Sequence, residues 1–204
     1  MSRHNQNPDT QNPEPQVEQP AESKTPEEWA ARAKQFCLRW LGARAHTRAE
    51  LAEKMRRKGI PEDIGESVLD RLTKVHLIDD NDFAHTFARS RHQYSGKGRA
   101  VLAQELKRKG VGENDVRDAL STISDEDERN KAHELVTKRL RSLTKVDWSD
   151  PNERQRAVRK LVGMLARRGY PPGLSYGIVA DAIRAEAPQP IEIDTFEPES
   201  FDTE

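Results

Sequence analysis

The chain has 204 residues, room for one or two domains, and 34% of them are hydrophobic and 34% charged. That balance excludes one large core and suits several small helical layers, or a folded centre with disordered ends. The formal net charge of −1 divides into −2 over residues 1–26, −7 over residues 186–204 and +8 between them, so the body favours a polyanionic partner or one with an acidic surface.

The acidic tail reads equally as a solubilising element and as a competitor for the basic body. The single cysteine, Cys37, excludes an intrachain disulfide and falls on an apolar helix face, as a small core residue does. No apolar run reaches the roughly 20 residues of a membrane span, and the N-terminus has no apolar segment of a signal peptide. A cytoplasmic protein is expected.

Residues 1–26 are rich in Pro, Gln, Asn and Glu and are expected to be disordered. From Thr25-Pro26 a helix follows, with Trp29, Ala33, Phe36, Cys37, Trp40 and Leu41 on one stripe. Thr47-Arg48-Ala49-Glu50 has the pattern of a capping box, with Glu50 reaching back to its cap. The helix it starts turns Leu51 and Met55 inward and ends in Arg56-Arg57-Lys58-Gly59. Pro61, Glu62 and Asp63 open a third helix carrying Ile64, Val68, Leu72 and Val75.

Asp79, Asp80 and Asp82 sit at the next helix start, where negative charge is favoured. Phe83, Phe87 and Tyr94 are spaced to share one face of a helix over 80–94. Ser95-Gly96-Lys97-Gly98 breaks it, and a basic helix over 99–109 ends in Lys107-Arg108-Lys109-Gly110. Val116, Ala119, Leu120 and Ile123 mark the next helix. A longer one spans 125–143. After a loop holding Trp148, Asp150-Pro151 starts a helix with Val158, Leu161, Val162 and Leu165 inward. Leu174, Ile178, Ala182 and Ile183 form the last. No stretch alternates as a strand does, so the fold is all-α.

Three segments repeat. Leu51, Leu102 and Leu161 stand eight residues before Gly59, Gly110 and Gly169, and Met55, Leu106 and Leu165 stand four before them. Two bases precede each glycine. The chain thus divides into three tandem three-helix repeats, over 27–78, 79–124 and 125–186, forming an elongated, curved body with disordered termini at 1–26 and 187–204.

The run HLIDDNDFAHTFARSR, the GKG turn and the paired RKG[IV] helix ends resemble the RecX family, bacterial regulators of the recombinase RecA. The resemblance covers roughly residues 27–185. Its most specific part is the central repeat: Leu77, Asp79, Asp80, Phe83, Ala84 and Phe87, then Gly96, Lys97 and Gly98, then Leu106, Lys109 and Gly110. It implies a protein that binds RecA, as monomer and as filament on single-stranded DNA. It implies inhibition of strand exchange, ATPase and co-protease activity from a place in the filament groove. Contacts of several repeats then add through effective concentration.

The residues expected to face the filament are basic. Arg56, Arg57 and Lys58 recur as Lys107, Arg108 and Lys109, and again as Arg167 and Arg168. Such residues also complement a helix dipole by a few tenths to ~1 kcal/mol each, which explains them without any partner. Lys97 and Arg99 lie in a loop with no dipole to complement, and Arg89 and Arg91 extend the patch. Single- and double-stranded DNA are further candidate partners, and a helix-turn-helix DNA-binding protein without RecA is the competing reading.

Catalysis finds no support. Asp79-Asp80-Asn81-Asp82 lacks the glycine and distal glutamate of a calcium loop. His85 and His92 are separated by about 10.5 Å of helical rise, too far for one metal ion. No P-loop or nucleophile signature is present. The expectation is a monomeric regulator with no cofactor, no metal and no enzymatic activity.

Overall fold

The computed structural model describes residues 24–144 and 146–186. Of the segments expected to be disordered, 1–26 and 187–204, residues 1–23 and 187–204 lie outside the described residues, while Thr25 caps α1 and Pro26 opens it. Among the described residues there are nine helices and no strand: α1 (Pro26–Ala43), α2 (Arg48–Arg57), α3 (Glu62–Lys74), α4 (Asp80–Ser95), α5 (Arg99–Arg108), α6 (Glu113–Ser121), α7 (Asp125–Leu140), α8 (Pro151–Arg167) and α9 (Pro172–Glu186).

The helices pack in threes. Ala33, Cys37, Leu51, Met55, Val68, Leu69 and Leu72 form the core of α1–α3. Ala84, Ala88, Leu102, Leu106, Val116 and Ala119 form that of α4–α6. Ala132, Val136, Leu161, Leu165, Ile178 and Ile183 form that of α7–α9. The repeat signature thus reads out as packing: Leu51, Leu102 and Leu161 are each fully buried. Burying one leucine contributes about 1.5–3 kcal/mol, so three small cores replace one large one. Cys37 is one of these core residues, and burial pushes its thiol up to about 11.

Local chemistry sets the helix starts. Thr25 and Glu28 form a reciprocal capping box at α1, and Ser124 and Asp127 do the same at α7. Asp79 and Asp150 cap α4 and α8 through their carboxylates. At α2 the expected box is only half made. Thr47 Oγ1 accepts from the Glu50 amide at 3.1 Å, but the Glu50 carboxylate does not return to Thr47. It is held instead by His46, Arg44 and Lys109.

Tyr94 falls on the helix face of Phe83 and Phe87, whose rings stack at 5.8 Å, but it lies six residues past Ala88, the last buried position of α4, and is 82% exposed. Two further expectations are corrected. Val75 is the C-cap of α3 and lies outside the core. Helix α7 ends at Leu140 rather than 143.

Neighbouring triplets meet through two junctions of one design. In each, the start of a triplet's second helix abuts the end of the next triplet's second helix. At the first, Thr47 Oγ1 donates to the Lys109 carbonyl at 2.6 Å, Lys109 Nζ donates to Glu50 Oε1 at 2.6 Å, and the Arg48 amide donates to Asp80 Oδ1 at 2.8 Å. At the second, the Gly98 amide donates to the Arg168 carbonyl at 2.7 Å, and the Arg99 amide donates to Glu128 Oε1 at 2.8 Å. Tyr170 adds a hydrogen bond to the Gly96 carbonyl at 3.2 Å. Among the described residues, no hydrogen bond joins the first triplet to the third.

Candidate functional site

The twelve basic residues expected to face a partner separate into two groups of six. Arg56 and Arg57 both pair with Glu53 one turn back, the second at 2.8 Å, and both stay exposed. Lys97 pairs with Glu105, Lys107 with Glu113 at 2.9 Å, and Lys109 with Glu50. Arg99 pairs with Asp125 and donates from Nε to Glu128 Oε2 at 2.9 Å. Lys58, Arg89, Arg91, Arg108, Arg167 and Arg168 have no acidic partner within 4 Å among the described residues.

Lys97, in the turn, and Arg99, which is the first residue of α5 rather than a loop residue, therefore have internal tasks. Arg99 neutralises Glu128, which is 2% exposed and receives both the amide and the guanidinium of Arg99. A carboxylate buried that deeply is sustained only by such charge-assisted bonds. Lys97 ties the Gly96–Gly98 turn to α5 through Glu105, and its carbonyl accepts a hydrogen bond from His92 Nδ1 at 2.9 Å.

The Glu50 carboxyl shows the electrostatics of the first junction. Burial alone would raise it. Hydrogen bonds from Lys109 and His46, with the charges of Lys109 and Arg44, hold it at about 2. His46 is 4% exposed, and burial lowers its imidazole below the ordinary 6.5. Its neutral form fits both neighbours: Nδ1 donates to Glu50 at 2.9 Å, and Nε2 accepts from Lys54 at 3.3 Å. Asp80 is pushed up by burial, with the Arg48 amide opposing.

The exposed bases are ordered by the repeat. Arg57, Arg108 and Arg167 each stand two residues before the glycine that follows their helix and are all exposed, Arg57 while paired with Glu53. Lys58, Lys109 and Arg168 follow them. Lys58 lies over the Phe36 ring at 6.0 Å, and its counterpart Lys109 lies over Phe87 at 5.5 Å. Arg91 also lies over Phe87, 5.3 Å from its ring centre. Arg89 lines a cleft between α4 and α7 with His92, Thr122, Asp127 and Lys131.

Further bases beyond these twelve lie against the aromatic rings. Arg32 and Arg39 also approach Phe36, at 5.4 and 6.0 Å, and Lys54 lies 5.0 Å from Trp40. A basic residue four before or three after an aromatic on one helix was the available signal. Of the junction acids, the sequence marks Glu50 as half of a capping box and Asp80 as a helix-start acid, and does not single out Glu128. Of the three aromatics near turns, Tyr94 is exposed, Tyr170 is 3% exposed and Trp148 packs on the third core. Among the described residues, no group of three His, Cys, Asp or Glu side chains is placed to hold a metal ion. No described helix is long and apolar enough to cross a membrane.

Two family models match the chain: the first three-helix domain of RecX over residues 33–72 and the second over 79–120. The regulatory protein RecX of Mycolicibacterium smegmatis is 45% identical over 166 residues, which is 81% of this chain and 86% of that protein. The regulatory protein RecX of Thermobifida fusca is 41% identical over 180 residues, 88% of this chain and 92% of that one. In fold, the chain is similar to the crystal structure of RecX from Lactobacillus salivarius. The TM-score is 0.68 at 22% identity, covering 76% of this chain and 97% of the other.

Proposed function

The chain belongs to the RecX family of regulatory proteins, and from that premise we propose that it binds RecA and its filament on single-stranded DNA and inhibits strand exchange, ATPase and co-protease activity. The repeat units are residues 27–78, 79–124 and 125–186. The protein works as a monomer in the cytoplasm, without cofactor or catalysis of its own.

The observation that carries this reading is the recurrence of Arg57, Arg108 and Arg167 as exposed bases in one register, on repeats fixed to one another by two like junctions. A ladder of like charges at repeating intervals suits a partner that itself repeats. Weak contacts then multiply, because each repeat raises the local concentration of the next.

The test is a titration of RecA's DNA-dependent ATPase. Inhibition at low ratios of this protein to RecA is expected, and its loss in the triple variant Arg57→Glu, Arg108→Glu, Arg167→Glu with an unchanged helical spectrum. Steeply salt-dependent DNA binding with the ATPase untouched would instead favour a plain DNA-binding protein.

A further inference from the structure

The two internal junctions define what the end of a second helix receives. Lys109–Gly110 takes the start of α2, and Arg168–Gly169 takes the start of α5. In both cases the carbonyl before the glycine accepts a hydrogen bond from the incoming helix cap. In both, the glycine is needed for close approach. A Cβ at Gly110 would fall 2.2 Å from the Ala49 Cβ, and one at Gly169 would fall 2.6 Å from the Val101 amide nitrogen.

The first triplet carries the same half, unfilled. Lys58–Gly59 ends α2 as Lys109–Gly110 ends α5, and Gly59 has the same left-handed φ, +70° against +78°. Yet a Cβ at Gly59 would meet nothing within 4 Å among the described residues. Among the described residues the Lys58 carbonyl receives no hydrogen bond, and Lys58 has no acidic partner where Lys109 has Glu50. Arg32 and Arg39 add two more bases around the same Phe36 ring.

The other end of the stack is closed. Helix α8 begins seven residues earlier, relative to its glycine, than α2 and α5 do. Those two turns carry its start roughly 10 Å further out, where a following repeat would have to sit. A second copy of this chain therefore cannot reach Lys58–Gly59 through α8 in the junction geometry, and the starts of α2 and α5 are already used.

We propose that Lys58–Gly59 is a docking site for a helix N-terminus of a partner protein, in the manner of the internal junctions. The incoming helix has a hydroxyl or glycine cap, a small residue at its second position and an acid at its third. The cap donates to the Lys58 carbonyl, the small residue lies on Gly59, and the acid pairs with Lys58. Charge favours this occupant, since three bases surround the site and the one acid that pairs with its counterpart lies on the incoming helix.

The probe is a stapled synthetic peptide of residues 47–57, the segment that fills the equivalent half at Lys109–Gly110. It is titrated into the isotope-labelled full chain and followed by NMR. Saturable shifts at the amides of residues 57–60 are expected. Affinity should fall about tenfold or more in Lys58→Glu, and likewise in Gly59→Asn, which tolerates the left-handed backbone but fills the open space. A peptide carrying Glu50→Lys should bind correspondingly worse. The proposal is overturned by an absence of saturable shifts at 57–60, by shifts confined to Lys109–Gly110, or by equal affinity for the reversed-charge peptide. Preferential occupation of the same amides by an oligothymidylate, or by a second copy of the chain, overturns it too.

Discussion

Lys109 and Glu50, 59 residues apart in sequence, form the ion pair that joins the first triplet to the second at 2.6 Å. It acts on stability through pH. The carboxyl is held at about 2 against an ordinary 4.5, so its contribution is complete above about 4.5 and lost as pH falls toward 2. His46 adds to the same slope earlier. Its imidazole is kept neutral by burial, so the unfolded chain gains the proton first as pH drops below 6.5. Thermal melting between pH 5 and pH 2 should therefore fall more steeply for the wild type than for Glu50→Gln; parallel curves would show that the pair contributes nothing to the fold.

The glycines offer a matched comparison. Gly59 and Gly110 have the same role at their helix ends and similar φ values, so Ala carries the same left-handed strain at both, about 1–2 kcal/mol. Only at Gly110 does the new Cβ strike a neighbour, Ala49. Gly110→Ala should therefore destabilise clearly more than Gly59→Ala in urea unfolding. Equal losses would mean that the first junction opens at little cost.

Tyr94 is the largest exposed hydrophobic residue of the second triplet, and it packs on none of the three cores. Tyr94→Ala should change stability by no more than about 0.5 kcal/mol, as for surface positions without special contacts. If the variant nonetheless loses inhibition of RecA's ATPase, the ring is a partner contact; a large drop in melting temperature would instead place it in the fold.

The helices and their cores were legible in the sequence because helical periodicity is local. Leu51, Leu102 and Leu161 announce themselves by spacing from a glycine and land at zero exposure. What could not be read was which bases the fold keeps for itself. Arg99 and Glu128 are 29 residues apart, and nothing local distinguishes Glu128 from the three acids before it in α7. A first-turn acid satisfies the helix dipole whether or not a guanidinium later lands on it. The same limit hid the second task of Glu50, read as one half of a capping box.

That hidden pair carries the last prediction. Arg99 looks like a surface contact, and charge reversal there would be expected to act on a partner. In the structure its guanidinium neutralises Glu128, a carboxylate 2% exposed, and its amide holds the other oxygen. Arg99→Glu would set two carboxylates against each other at the second junction. Arg99→Ala would leave Glu128 buried with one hydrogen bond fewer, a loss of about 2 kcal/mol for a bond to a charged group. Both variants should therefore lower the midpoint of urea unfolding, Arg99→Glu more. Arg99→Ala combined with Glu128→Gln should recover part of the loss, because no uncompensated charge remains. Arg108→Glu, which breaks no ion pair, should lower the midpoint only by its share of the helix dipole, a few tenths to ~1 kcal/mol, and less than Arg99→Glu. If Arg99→Ala unfolds at the wild-type midpoint, the Arg99–Glu128 bond does not hold the second junction, and Arg99 returns to the set of free surface bases.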